Sequence, residues 1–285
     1  MFRKAVIPAA GLGTRLLPIT KELPKEMLPI FAKTSNGRVC LKPMLQAVFE
    51  QLYDAGFREF CFVVGKGKRA IEDHFTPESN FINYLEVKNK AGFADELRRF
   101  YEKVEGSRIM FVNQPEPKGF GDAVLRTKSF VTEDFLVHAG DTYIISPRQD
   151  HLTRLMRVHS ELKADITFIV QEVENPRQYG VIEAEEMGKG LLKVKSAVEK
   201  PEKPLSNLAI MPVYLFKPSI FDALESIEPG VGGEIQLTDG IKKIIDSGSK
   251  VYALKLNSSE IRLDIGTPET CWDALSSSYA HLSRI

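Results

Sequence analysis

Pro8-Ala9-Ala10-Gly11-Leu12-Gly13-Thr14-Arg15 follows the apolar run Ala5-Val6-Ile7, and ten positions after Arg15 stands Lys25 in Pro24-Lys25-Glu26-Met27-Leu28-Pro29. The apolar run reads as a buried first strand. Gly11 and Gly13 let the chain turn tightly so that backbone N–H groups face an anion, and a polyphosphate fits such a turn. Arg15 and Lys25 lie on its polar side, where a planar guanidinium can bridge phosphate oxygens and an ammonium can act as a point charge. Taken alone, the same residues also describe a flexible turn with two solvated cations.

Two familiar glycine loops are excluded. A dinucleotide fingerprint needs a third glycine where Leu16 stands, followed by a helix, whereas Pro18 stops any helix almost at once. A Walker loop closes on Gly-Lys-Ser/Thr, and Gly13-Thr14-Arg15 does not supply it.

Outward from this turn, short apolar runs at Ala5 to Ala9, Phe60 to Val64, Ile109 to Val112, Phe135 to Ala139 and Ile166 to Val170 alternate with helical patterns. That alternation predicts an α/β fold, a mainly parallel sheet flanked by helices on both faces. Ligands bind such sheets beyond the carboxyl ends of the strands, so the glycine turn and Gly140-Asp141 should share one crevice. From Tyr179 the rhythm changes to shorter strands, through Val181-Ile182-Glu183 and Leu191 to Val194, ending in Tyr214-Leu215-Phe216. These predict a smaller mixed or antiparallel extension. The chain is read as a single domain over residues 1–285, with a first half to 175 and a second half, 176–285, ending in a helix. A charged helical insertion falls near 78–105, with Leu85, Phe93, Leu97, Phe100 and Tyr101 spaced for packing.

The 285 residues carry 38 basic and 38 acidic side chains, a formal charge of zero that argues against a broad nucleic-acid surface and for a local anion pocket. Cys40, Cys61 and Cys271 are too few for a disulfide framework and have no zinc spacing, which points to a reducing cytoplasm. No apolar stretch approaches the ~18 residues of a membrane span, and no signal-peptide core follows Met1, so a soluble, unprocessed chain without membrane partners is expected.

Several residues could carry chemistry. Asp141 follows a strand and a glycine, suited to a hard cation such as Mg²⁺ or equally to a helix cap or turn. Asp264, in Arg262-Leu263-Asp264-Ile265-Gly266, offers a partner carboxylate. The Gln114 amide suits the imide edge of uracil, and Gly119 would let a base approach the backbone; an ordinary turn fits the same spacing. Glu199-Lys200-Pro201 sets a carboxylate and an ammonium beside a forced turn, which a surface ion pair would also explain. Thr238 or Asp239 is expected to cap a helix through Ile241 and Ile244. Gly65-Lys66-Gly67-Lys68-Arg69 reads as a solvated basic loop, and the five histidines as core or surface residues.

The run from Ala10 to Pro18, together with Thr20-Lys21 and Pro24 to Ile30, resembles the signature of the sugar-nucleotidyltransferases, and is most similar to their bacterial and archaeal UTP:glucose-1-phosphate uridylyltransferase type. Further segments resemble it at Gln114 to Ala123, Tyr179-Gly180-Val181, Glu199-Lys200 and Gly232 to Asp239. The resemblance implies a Rossmann-like fold with the smaller extension forming the sugar side. It implies transfer of a uridylyl group from UTP to glucose 1-phosphate, giving UDP-glucose and pyrophosphate. In it Arg15 and Lys25 are catalytic, while Ala10, Gly11, Gly13, Gln114, Gly119 and Asp141 hold the nucleotide. Gly180, Glu199, Lys200 and Glu234 meet the sugar phosphate, and Asp141 and Asp264 share Mg²⁺. A homo-oligomer, dimer or tetramer, is also implied. Ile265-Gly266-Thr267-Pro268 is closer to the wider superfamily, which keeps a dTTP-using thymidylyltransferase as an alternative, beside a catalytically silent sugar-nucleotide-binding regulator.

Overall fold

The computed structural model describes residues 2–282, except for the side chain of Arg148. In chain order the first elements are β1 (Lys4–Ala9), β2 (Pro29–Lys33), β3 (Val39–Pro43), α1 (Met44–Asp54), β4 (Glu59–Gly65), α2 (Arg69–His74), α3 (Ser79–Val87), α4 (Ala91–Glu105), β5 (Arg108–Gln114) and α5 (Phe120–Leu125). They are followed by β6 (Phe135–His138), β7 (Thr142–Ile145), α6 (Asp150–Glu161), β8 (Ile166–Glu172), β9 (Gly180–Gly188), β10 (Leu191–Glu199) and β11 (Leu208–Phe216). The last are α7 (Ser219–Glu225), α8 (Leu237–Asp246), β12 (Val251–Lys255), β13 (Ile261–Asp264) and α9 (Pro268–Leu282).

Nine strands form one Rossmann-like α/β sheet in the order β5-β4-β1-β6-β11-β8-β12-β10-β9. Strands β5, β4, β1 and β6 are mutually parallel. The antiparallel extension expected on the sugar side is present at the far end, where β10 pairs antiparallel with both β12 and β9. It continues the same sheet, because β11 inserts antiparallel between β6 and β8.

Successive side chains of a strand face opposite sides. In β1 that sends Ala5, Ile7 and Ala9 into one core, with Leu45, Val48 and Leu52 of α1, and Val6 into the other, with Ile220 of α7 and Ile241 of α8. Both faces are covered, which is why β1 reads as a continuous apolar run. The charged insertion is α3 and α4; Leu85 and Phe100 are buried as its spacing predicts. Phe93 differs: it stays half exposed, with the Arg38 guanidinium 4.0 Å over its ring, because α4 packs on the body through Ala94, Phe100 and Val104 instead.

His138 in β6 and His151 in α6 are fully buried. Desolvation pushes the first imidazole down to about 4 and the second to about 3, so both fold neutral. His138 Nδ1 donates to the Ala139 carbonyl, while neither His151 nitrogen has a protein partner. Their stabilising contribution is therefore complete above the unfolded value of 6.5 and lost as pH falls toward 4, as the unfolded chain takes up protons the native state refuses. We expect each to remove on the order of 2 kcal/mol of stability between pH 7 and pH 5. Urea unfolding at the two pH values measures this, and His151→Leu should flatten the dependence; a midpoint unmoved by acid would contradict it.

Candidate active site

The glycine turn leaves the carboxyl end of β1 through Gly13, in the left-handed conformation, and enters three short 3₁₀ turns at Thr14–Leu16, Ile19–Lys21 and Lys25–Met27. Arg15 sits on the first and Lys25 on the third. The Lys25 ammonium donates a short hydrogen bond to Asp141 Oδ2, joining the turn to the loop after β6. Asp264 arrives from the opposite end of the sequence. β13 pairs antiparallel with β7 in a small separate ribbon, with Asp264 opposite Thr142, so the two carboxylates become neighbours. The Thr142 hydroxyl lies 3.4 Å from Asp141 Oδ1 and 3.5 Å from Asp264 Oδ1. At Gly266 an added Cβ would meet Asp264 Oδ2 at 2.9 Å and Arg15 Nη2 at 3.4 Å, which places that guanidinium beside the same carboxylate.

The charges set one another's protonation. The nearby Asp141 carboxylate raises the Lys25 pKa, outweighing the opposing effect of burial. Burial alone would push the Asp141 carboxyl up, but Lys25 holds it below its ordinary range. Asp264 goes the other way, raised by burial and then by Asp141, with Arg262, Lys25 and Arg15 only partly offsetting them. Two like charges brought together in this way form a place where an added cation is stabilised.

A cavity of about 510 Å³ opens over this cluster, lined by Ala10, Gly11, Gly13, Arg15, Lys25, Gln114, Gly119, Asp141, Glu199, Lys200 and Glu234. A second compartment of about 300 Å³ adjoins it and contains Gly180, Tyr179, Thr238, Arg262 and Asp264; Arg15, Asp141 and Glu199 belong to both walls. Every site residue that the resemblance implies thus lines one or the other.

The structure changes several local readings. Gln114 Nε2 donates to the Gly119 carbonyl at 3.1 Å and to Asp122 Oδ2 at 2.7 Å, and Arg126 Nε holds Asp122 at 2.8 Å. Its donors are used within the protein, and only Oε1 remains to face a ligand. Gly119, at φ +102°, has to be glycine because a Cβ would come within 2.6 Å of the Ile235 carbonyl oxygen; the close approach is to this chain's own backbone. At Gly180 a Cβ would lie 2.7 Å from Thr238 Oγ1 and 3.0 Å from Glu199 Oε2, so the missing side chain makes room for their hydrogen bond of 2.7 Å. The expected cap on α8 is therefore overturned: Thr238 is spent on Glu199, and the cap residue is Gln236, without a side-chain capping bond. Lys200 Nζ stands 3.5 Å from Glu199 Oε1, and Glu234 Oε2 accepts from Gln236 Nε2 at 3.1 Å.

The solvated reading of the basic loop also fails at Lys68, which is buried and pairs with the buried Glu26 at 2.8 Å. The sequence reading missed this pair, of which Glu26 lines the first compartment, although the place of Lys68 just past the carboxyl end of β4, beside β1, was a usable signal. Arg262, which lies 3.2 Å from the Tyr179 hydroxyl and faces the second compartment, carried no signal of its own.

A glycine turn, two cations and a carboxylate pair at the head of a Rossmann-like sheet suit the class of enzymes that transfer phosphoryl-linked groups. The nucleotidyl transferase family model matches residues 4–280, and the chain belongs to that family. It is 40% identical over 272 residues to a putative UTP–glucose-1-phosphate uridylyltransferase of Methanocaldococcus jannaschii, covering 93% of this chain and 89% of that one. With the UTP–glucose-1-phosphate uridylyltransferase of Pseudomonas aeruginosa it shares 35% identity over 291 residues, covering 100% and 98%. An apo UDP-glucose pyrophosphorylase superposes with a TM-score of 0.87 at 31% identity, over 100% of both chains. The UTP-bound enzyme of Acinetobacter baumannii does so at 0.83 and 29%, over 97% and 93%.

Proposed function

We propose that this chain is an enzyme that transfers the uridylyl group of UTP to glucose 1-phosphate, forming UDP-glucose and releasing pyrophosphate. The observation that carries the reading is the meeting of Lys25, from the first compartment, and Asp264, from the second, around Asp141 and Arg15, which line both. The printed names of relatives at 35 to 40% identity support it.

The attacking atom is an ionised phosphate oxygen, so no general base is required. The obstacle is repulsion between two anions approaching in line at the α-phosphorus, and preorganised cations offset it. Lys25 neutralises the α-phosphate, Arg15 the departing β,γ-phosphates, and Lys200 orients the sugar phosphate. Ala10, Gly11 and Gly13 offer backbone N–H groups to the triphosphate. Glu199, with Oε2 fixed by Thr238, turns Oε1 to the Lys200 ammonium and to a sugar hydroxyl, and Gly180 makes that geometry possible; Glu234 closes the same side.

Enzymes of this family generally use a divalent metal. We assign it to Asp141 and Asp264 and the ion to Mg²⁺. Two carboxylates on one threonine hydroxyl supply hard oxygens, and no cluster of three or more His, Cys, Asp or Glu ligands exists among the described residues. Asp141 and Asp264 would hold the ion, whose preference for oxygen ligands they match. When bound, it would supply neutralisation of phosphate charge.

The acceptor left on Gln114 matches the N3–H of uracil and of thymine equally, so Gln114 by itself does not separate UTP from dTTP. Gln114 therefore admits a second reading, thymidylyl transfer, beside the first. We also propose that residues 1–285 act as one unit, residues 1–175 for the nucleotide and 176–285 for the sugar phosphate. Assembly as a homo-oligomer in the cytoplasm, without nucleic-acid or membrane partners, completes the reading; no helix among the described residues is long and apolar enough to cross a membrane.

The test is pyrophosphate release by purified protein from UTP or dTTP, each with glucose 1-phosphate and Mg²⁺. Turnover with UTP well above dTTP is expected. Turnover confined to dTTP would replace the reading with the thymidylyl one, and none with either would leave a silent regulator.

A further inference from the structure

Beneath the Lys25 turn lies a second ion pair that the reaction described above does not use. Glu26 is 1% exposed and Lys68 8%, and Lys68 Nζ sits 2.8 Å from Glu26 Oε2. Lys68 comes from the loop between β4 and α2, held by its N–H on the Gly65 carbonyl. Gly65 itself packs on Ala10 of the phosphate turn, where a Cβ would strike the Ala10 carbonyl oxygen at 2.9 Å. The Glu26 side chain runs under the loop that bears Asp141: an added Cβ on Gly140 would meet Glu26 Cγ at 3.4 Å. Lys68, Glu26, Lys25 and Asp141 thus form a row of alternating charge from the interior of the protein to the cavity floor.

Burying two charges is a poor way to gain stability, since desolvation consumes most of the attraction and an apolar pair often does as well. What the pair does supply is location. Glu26 and Lys25 are consecutive in a three-residue 3₁₀ turn, too short to hold its own direction, and the turn is anchored from below by the Lys68 contact. We propose that Lys68 is a positioning residue for nucleotidyl transfer: by holding Glu26 it fixes the turn from which the Lys25 ammonium reaches Asp141 and the α-phosphate. This rests on the assignment of Lys25 to the reacting centre.

The two claims separate experimentally. Wild type and Lys25→Ala establish whether the enzyme transfers uridylyl groups and whether Lys25 matters; failure there sinks the functional reading before Lys68 is considered. Lys68→Met then leaves Glu26 unpaired, and we expect kcat to fall by roughly 10- to 100-fold, as misplacement of a catalytic group does, with KM for UTP and glucose 1-phosphate within about threefold. Lys68→Arg, which returns a cation to Glu26, should recover most of that loss. The double variant Lys68→Met/Glu26→Gln removes the stranded charge; it should restore the melting temperature but not kcat, and it also serves if Lys68→Met alone fails to fold. A folded Lys68→Met or double variant with wild-type kcat, or a loss confined to KM, would overturn the proposal.

Discussion

Lys25→Ala should lower kcat by roughly a hundred- to a thousandfold while the protein remains folded, the loss expected when one preorganised charge is withdrawn from a desolvated site. The ammonium does two things in the structure. It presents positive charge to the first compartment, and it holds the pKa of the largely buried Asp141 below its ordinary range. Without it, burial governs Asp141 and its carboxyl rises, so the residual activity should increase with pH as that carboxyl loses its proton. Steady-state rates as a function of pH, beside a urea melt to certify folding, measure both effects. A folded variant turning over near the wild-type rate would remove Lys25 from the reaction.

Asp264→Asn gives the second large effect, and its signs are opposed. Burial and the neighbouring Asp141 make ionised Asp264 unfavourable in the metal-free protein, so the neutral isostere should hold or raise the melting temperature in EDTA. The same change removes one of two carboxylates assigned to the divalent ion, and kcat should fall about a thousandfold, which corresponds to ~4 kcal/mol of transition-state stabilisation. In the wild type, EDTA should abolish turnover and Mg²⁺ restore it, while the variant should need more Mg²⁺ for its remaining rate. An unchanged kcat and an unchanged Mg²⁺ requirement in a folded variant would show that Asp264 holds no ion.

Much of this site is legible in the residues alone. Ala5-Val6-Ile7 can be a continuous apolar strand only if both faces are covered, and its successor turn, rich in glycine and flanked by Arg15 and Lys25, suits an anion at the carboxyl edge of the sheet. Asp141 is readable for the same reason, as the residue leaving another strand at that edge. The alternating elements of the first half and the amphipathic α4 follow from local periodicity, which short stretches of chain express by themselves.

Other assignments depend on partners far away in the chain. Thr238 stands at a position that suits a helix cap, yet Glu199 lies close enough to take its hydroxyl. Lys68 reads as a solvated cation until Glu26 is found 42 residues earlier in the chain and buried beside it. Gln114 keeps an acceptor rather than a donor because Asp122 and the Gly119 carbonyl claim its amide hydrogens. The residue types of the site, and the edge of the sheet where they gather, were determined by the sequence itself, since backbone turns and strand ends are local. The pairing of Asp141 with Asp264, implied beforehand only by resemblance, acquires its physical cause in three dimensions, through the β7–β13 ribbon. Register between strands more than a hundred residues apart, and the desolvation that sets each charge, are properties of the packed whole and have no local signature.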